Sequence, residues 1–207
     1  MTYPLKHTRG EKMKNNDAKQ TQPTLAIGSG QLMLEHDMLY FTDEFTRQST
    51  RAPIQFIIEK NLLPISQRPK ELTLIINSPG GDLNAAFALV DVMKGSAIPV
   101  KTVGIGMIAS AGLATFMAGK KGERVITPNT SILSHQYSWG SYGKEHELFA
   151  IVRQFDLTTQ RMLDHYKACT GLSEAIIRKV LLPAQDVWLS AKEAVKYKIA
   201  DKIKKIY

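Results

Sequence analysis

An α/β protein with a largely parallel sheet is the fold class this 207-residue sequence predicts, and three observations carry it. Residues 74–105 read as strand, glycine turn, helix, strand. Beyond them, apolar runs of strand length keep alternating with stretches of helical period. From 144 to 170 no glycine or proline interrupts the chain, which predicts a helix of about 24 residues, long for one small domain.

Each element has its own local reason. Residues 1–24 are rich in Lys, Asn, Gln and Thr without periodicity and predict a flexible basic arm ahead of a single domain, 25–207. MLYFT, 38–42, is a short strand, and Asp43 or Thr46 is placed to cap a helix running to about Lys60, with Phe56, Ile57 and Leu63 available to the core. After the loop 64–70, strand 72–76 breaks at Asn77, Ser78, Pro79, Gly80 and Gly81, a tight turn whose freed N–H groups can hold an anion. Phe87, Val90 and Met93 then recur at helical intervals until Gly95 and Pro99 end the helix. Strand 100–105 runs into Gly106–Gly112, helix 113–118 follows, and strands 124–127 and 131–134 flank the Pro128-Asn129 turn. The long helix, about 144–169, stops at Gly171; its apolar positions exceed what one small domain can cover, so part of that face should pack on another subunit. Helix 173–182 ends at Pro183, and Ser190 with Glu193 forms a capping box opening helix 190–198.

Composition narrows the function classes. With 43% hydrophobic and 22% charged residues, no apolar run of membrane-span length and no secretory signal, the chain reads as soluble and cytoplasmic, without membrane partners. Its single cysteine, Cys169, cannot form an internal disulfide. The formal charge of +8 raises nucleic acid as a partner, but the lysines are scattered, interrupted by acids and lack aromatic interleaving, which argues against it. His146-Glu147 begins a zinc-protease pattern that fails at Ala150, so no metal site is expected. Gly104-x-Gly106-x-x-Ala109 fits a dinucleotide fingerprint formally, yet the acid such a unit wants at the end of the next strand is missing, Glu123 standing before strand 124–127 instead.

Ser110 sits where a strand hands over to a helix. A serine there can present its hydroxyl on the turn while the following N–H points into the same space, as acyl transfer requires. It can equally be a helix N-cap, and the generic Gly-x-Ser-x-Gly elbow is half absent because position 108 is Ile. His135 closes an apolar strand and reads as a general base or as a strand-end histidine. Asp186, taken alone, reads as a solvated loop acid.

Four motifs in order, the INSPGG turn, Gly106-x-x-Ala109-Ser110-x-Gly112, PNTSILSHQ and QDVWLSAKEAVKYKIAD, resemble the proteolytic subunit of the Clp protease over roughly residues 35–203. The resemblance implies a ClpP/crotonase-like fold of repeated β-β-α units with a protruding handle helix, and a serine endopeptidase of peptides and unfolded proteins. It assigns Ser110 as nucleophile, His135 as base then acid, Asp186 as the orienting carboxylate, and the N–H groups of Gly81 and Ala111 as the oxyanion hole. Substrate would add as an extended strand beside Asp82-Leu83 and the segment after His135, including Tyr137. No metal or cofactor is implied, ATP being used only by a separate partner ATPase. Two stacked heptamers, joined through the handles, would enclose the active sites and receive substrate from an AAA+ unfoldase, the mobile N-terminal arm lying where the family has its gating loops.

Several positions depart from the family's pattern. Tyr137 stands where a proline is usual, and Gln185 where an arginine often links assembly to activity. Thr73, Ile75 and Val125 replace aromatic residues of the ATPase-docking pocket, which predicts weak docking of a typical unfoldase. Two rivals complete the expectations: a crotonase-like acyl-CoA enzyme, which would share the two-donor oxyanion hole without needing Ser110, His135 and Asp186 together, and a catalytically silent ring or scaffold subunit.

Overall fold

The structure, a computed structural model of the chain, describes residues 30–205 apart from 139 and 141. The basic arm expected at 1–24 lies outside the described residues. The chain order is α1 (Gln31–Glu35), β1 (Met38–Phe41), α2 (Arg51–Leu62), β2 (Leu72–Ser78), α3 (Leu83–Gly95), β3 (Val100–Ala109), α4 (Ala111–Met117), β4 (Arg124–Ile126) and β5 (Ser131–Ser134). It continues with α5 (Glu145–Thr170), α6 (Glu174–Ile176), β6 (Val187–Leu189), α7 (Ala191–Lys196) and β7 (Lys202–Ile203).

Strands β1, β2, β3, β4 and β7 pair in parallel in that order. β3 is the hinge of the sheet. Its residues 102–104 pair with β4 and its residues 107–109 with β5, and between these halves Gly106 takes a left-handed φ of 57°. A Cβ at Gly106 would lie 2.6 Å from Asn77 Oδ1, the atom that accepts the Met107 N–H at 3.0 Å. A glycine is therefore needed at the kink, and the kink lets one strand serve two neighbours on the same side. The strand expected at 100–105 runs on to Ala109 for this reason.

The core is built from the faces of β2, α3, β3 and α4, among them Leu74, Ile76, Leu89, Val90, Ile108, Leu113 and Phe116, all buried. On the sheet's other face Ile75, Val103 and Val125 form a small apolar cluster under Met33 of α1 and Ile105.

Two helices differ from expectation. The helix expected to begin at Asp43 or Thr46 begins at Arg51, because residues 43–49 are held in other work: the Asp43 carbonyl accepts from Ser78 Oγ, Phe45 bridges to the glycine turn, and Thr46 and Ser49 bond each other. The helix expected at 173–182 is one α turn followed by a π turn, Ile177–Leu181.

α5 is long, 26 residues and about 39 Å at the usual rise. Its second half buries Met162, Leu163, Tyr166 and Cys169, while Phe149, Val152 and Leu157 of its first half remain exposed. His165 pins the buried half to α4: its Nε2–H donates to the Ala114 carbonyl at 2.8 Å and its Nδ1 accepts from Lys94 Nζ at 3.2 Å. Burial pushes this imidazole down to about 4, which keeps it neutral and in that tautomer near pH 7.

Candidate active site

The parallel sheet brings three strand ends to one place. Ser110 follows β3, His135 follows β5, and the Gly80-Gly81 turn follows β2, all at carboxyl ends, where open α/β sheets bind ligands. The antiparallel register of β6 on β5 pairs Ser134 with Val187, so one step further along the ladder Asp186 stands opposite His135.

Ser110 has φ 52° and ψ −118° and makes no side-chain capping bond. It stands at the N-cap position of α4 without its side chain capping the helix. Left-handed φ at a non-glycine residue is strained and persists where packing enforces it, and two contacts do so. The Ser110 N–H donates to the Leu133 carbonyl at 3.0 Å, and Gly80 presses against the elbow so closely that a Cβ on it would meet Ser110 Cβ at 2.7 Å and the Ala109 carbonyl at 2.8 Å. With no hydrogen bond from its hydroxyl among the described residues, the half-buried serine has the sharp strand-to-helix geometry of a nucleophile elbow even though Ile108 breaks the usual motif.

The glycine turn is aimed by Phe45. Its N–H donates to the Gly80 carbonyl and its carbonyl accepts the Asp82 N–H, both at 2.7 Å. The Gly80–Gly81 peptide is trans, so the Gly81 N–H points opposite to the Gly80 carbonyl and away from Phe45. A side chain at Gly81 would collide with the Phe45 carbonyl at 2.5 Å. Ala111 opens α4, and the N–H of a first helical residue has no acceptor within its helix.

His135 Nδ1 lies 3.2 Å from Asp186 Oδ1. Its Nε2 is buried and has no hydrogen-bond partner among the described residues, so Ser110 and His135 share a cleft without being bonded to each other here. Ser134, just before the histidine, donates its hydroxyl to the Leu181 carbonyl at 2.5 Å and receives the Tyr166 hydroxyl at 3.0 Å, fixing the strand end. Asp186 is 61% exposed in its side chain.

A cleft of about 740 Å³ contains Ser110, His135, Gly81, Asp82, Leu83 and Tyr137. Asp82 and Leu83 were expected to offer a strand edge. They line the cleft differently, Asp82 as the N-cap of α3, its carboxylate accepting the Asn84 N–H, and Leu83 as the first helical residue. The opposite wall was not anticipated: Ile151, Phe155, Thr158 and Met162 of α5 also line it. Their i, i+4, i+7, i+11 spacing marks one helix stripe and was the available signal. Among the described residues no group of three or more His, Cys, Asp or Glu could hold a metal ion, and no helix is long and apolar enough to cross a membrane.

The profile of the Clp protease family matches residues 28–206. The chain belongs to the Clp protease family. It is 31% identical over 173 residues to the ATP-dependent Clp protease proteolytic subunit 1 of Chlamydia muridarum (strain MoPn / Nigg), covering 83% of this chain and 88% of that relative. Subunit 2 of Thermobifida fusca (strain YX) is 35% identical over 142 residues, 69% of each chain. The proteolytic subunit of Deinococcus radiodurans is 34% identical over 149 residues, 71% of this chain and 72% of its own. As a Clp protease the chain is a peptidase, and neither the crotonase-like enzyme nor the silent scaffold is favoured. The parallel sheet and long α5 agree with the Clp protease fold.

Proposed function

We propose that this Clp protease is a serine endopeptidase with Ser110 as nucleophile, His135 as general base then acid, and Asp186 as the carboxylate orienting the imidazole. The observation that carries this reading is the strained, uncommitted Ser110 sharing one cleft with a histidine whose far nitrogen is paired to an aspartate. In the first half-reaction Ser110 Oγ bonds to the scissile carbonyl carbon while His135 Nε2 takes the hydroxyl proton. Negative charge develops on the carbonyl oxygen, where the N–H groups of Gly81 and Ala111 receive it. The amine leaves with the proton from His135, and water, deprotonated by the same nitrogen, releases the acyl group and restores Ser110. Asp186 accepts the Nδ1–H throughout, keeping Nε2 free to act as base. An extended peptide bonds to the backbone beside Gly81 and to the segment after His135. None of these steps draws on a metal or cofactor, and ATP serves a partner ATPase.

Membership of the family implies oligomeric assembly and work with a Clp ATPase. We place the docking of two heptameric rings on the exposed first half of α5, where Phe149, Val152 and Leu157 face solvent. Light scattering is expected to give a mass many times the 23.1 kDa chain at micromolar concentration; a monomer under those conditions would contradict it.

Short fluorogenic peptides should be hydrolysed without ATP, while a tagged folded protein is degraded poorly with a common Clp-type unfoldase and ATP. Ile75 and Val125 lie buried with Val103 beneath Met33, so these positions and Thr73 offer a docking loop no aromatic face. Aromatic anchors missing from a binding pocket can cost more than about 1 kcal/mol apiece. Absence of peptide hydrolysis would refute the peptidase reading, and efficient degradation of the tagged protein would refute weak docking.

A further inference from the structure

One side chain joins the two walls of the cleft. Tyr137 lies two residues beyond His135, and its hydroxyl donates to the Phe155 carbonyl of α5 at 2.9 Å. Its ring pairs with that of Phe155, centroids 5.5 Å apart and planes inclined by 39°, within the separation at which aromatic pairs attract. The backbone here has a second anchor, because Gln136 Nε2 donates to the Leu182 carbonyl at 2.9 Å. The cleft that holds the tyrosine also has aliphatic Leu83, Leu133, Ile151 and Met162 in its lining, beside polar Asp82, Asn84, Gln154 and Thr158.

We propose that Tyr137 is a specificity-determining residue: it fills the aromatic slot against Phe155 and so restricts the cleft to aliphatic substrate side chains, rejecting an indole next to the scissile bond. This rests on Ser110 being the nucleophile. An incoming tryptophan needs the face of Phe155 that Tyr137 occupies. Displacing the tyrosine gives up both the ring pairing and the bond to the Phe155 carbonyl. A leucine side chain displaces nothing, since Leu83, Leu133 and Met162 offer contact as they stand. Truncating Tyr137 adds the volume of a phenol ring to the cleft on the side of Phe155 that the tyrosine fills.

The test uses two peptidyl diphenyl phosphonates bearing a leucine or a tryptophan side chain beside phosphorus. Ser110 Oγ bonds to phosphorus, phenoxide departs, and the hydroxyl proton passes to His135, so intact mass reports the rate without turnover. The native enzyme should react about tenfold faster with the leucine probe, and Tyr137→Ala should raise the tryptophan-to-leucine ratio by about tenfold or more. Tyr137→Phe, which keeps the ring, should hold the native ratio. Tyr137→Leu keeps apolar bulk in case the alanine variant folds poorly, and it should also raise the ratio. Equal rates in the native enzyme, or a ratio within about twofold of native in both the alanine and leucine variants, would overturn the inference. A small fluorophosphonate without a side chain runs in parallel. Failure of that probe to label the native enzyme overturns the nucleophile assignment and this inference together, whereas labelling with an unmoved ratio overturns the inference alone.

Discussion

Ser110→Ala is expected to lower kcat for peptide hydrolysis by on the order of 10⁶ while leaving thermal stability near that of the native enzyme. The two halves of this expectation have separate causes. The loss in rate follows from removing the only atom that forms the acyl bond. The unchanged stability follows from the hydroxyl making no capping bond at α4, so alanine leaves no newly orphaned N–H. A capping serine would behave in the opposite way, costing about 1 kcal/mol of stability on replacement and leaving hydrolysis intact. Measuring kcat and Tm on the same preparation distinguishes them.

Asp186→Asn should lower kcat by about 10⁴ with a much smaller change in KM. Asparagine can turn an amide N–H toward His135 Nδ1, which drives the ring proton onto Nε2 and removes the base. The effect should fall on the chemical step, because Asp186 is largely exposed and its 3.2 Å pairing with the histidine is of a kind that adds little to folding stability. Steady-state kinetics with one peptide across a tenfold concentration range on either side of KM separate kcat from KM. A variant within tenfold of native kcat would remove Asp186 from the mechanism.

Much of this site was legible because its chemistry sits on local punctuation. The glycine turn, the Ser110 junction, the strand before His135 and the Ser190–Glu193 capping box are each specified within a few residues and appear close to where the pattern put them, although β2 carries on through Asn77 and Ser78, two residues past its expected end. What local pattern could not decide was whether Ser110 caps or attacks. Its left-handed φ, and the close approach of Gly80 from the turn after β2, are tertiary features that bear on the choice and that no local pattern carries. Asp186 is a similar case: its position opposite His135 is a consequence of the β5–β6 register, a pairing across some fifty residues that periodicity does not encode. The resemblance supplied both assignments; the contacts that bear on them are tertiary. The wall contributed by α5 was missed because a long apolar helix reads first as an interface, and its cleft-facing stripe at Ile151, Phe155, Thr158 and Met162 gains meaning only once α5 crosses the strand ends. The kink of β3 at Gly106 and the short β7 likewise depend on partners distant in sequence.

Fluorophosphonate labelling followed by peptide mapping tests the nucleophile most directly. The probe should add to Ser110 and to no other residue, label His135→Ala far more slowly, and fail to label Ser110→Ala. Modification mapped to a different side chain, or labelling that persists in Ser110→Ala, would contradict the assignment of this cleft as a serine peptidase active site.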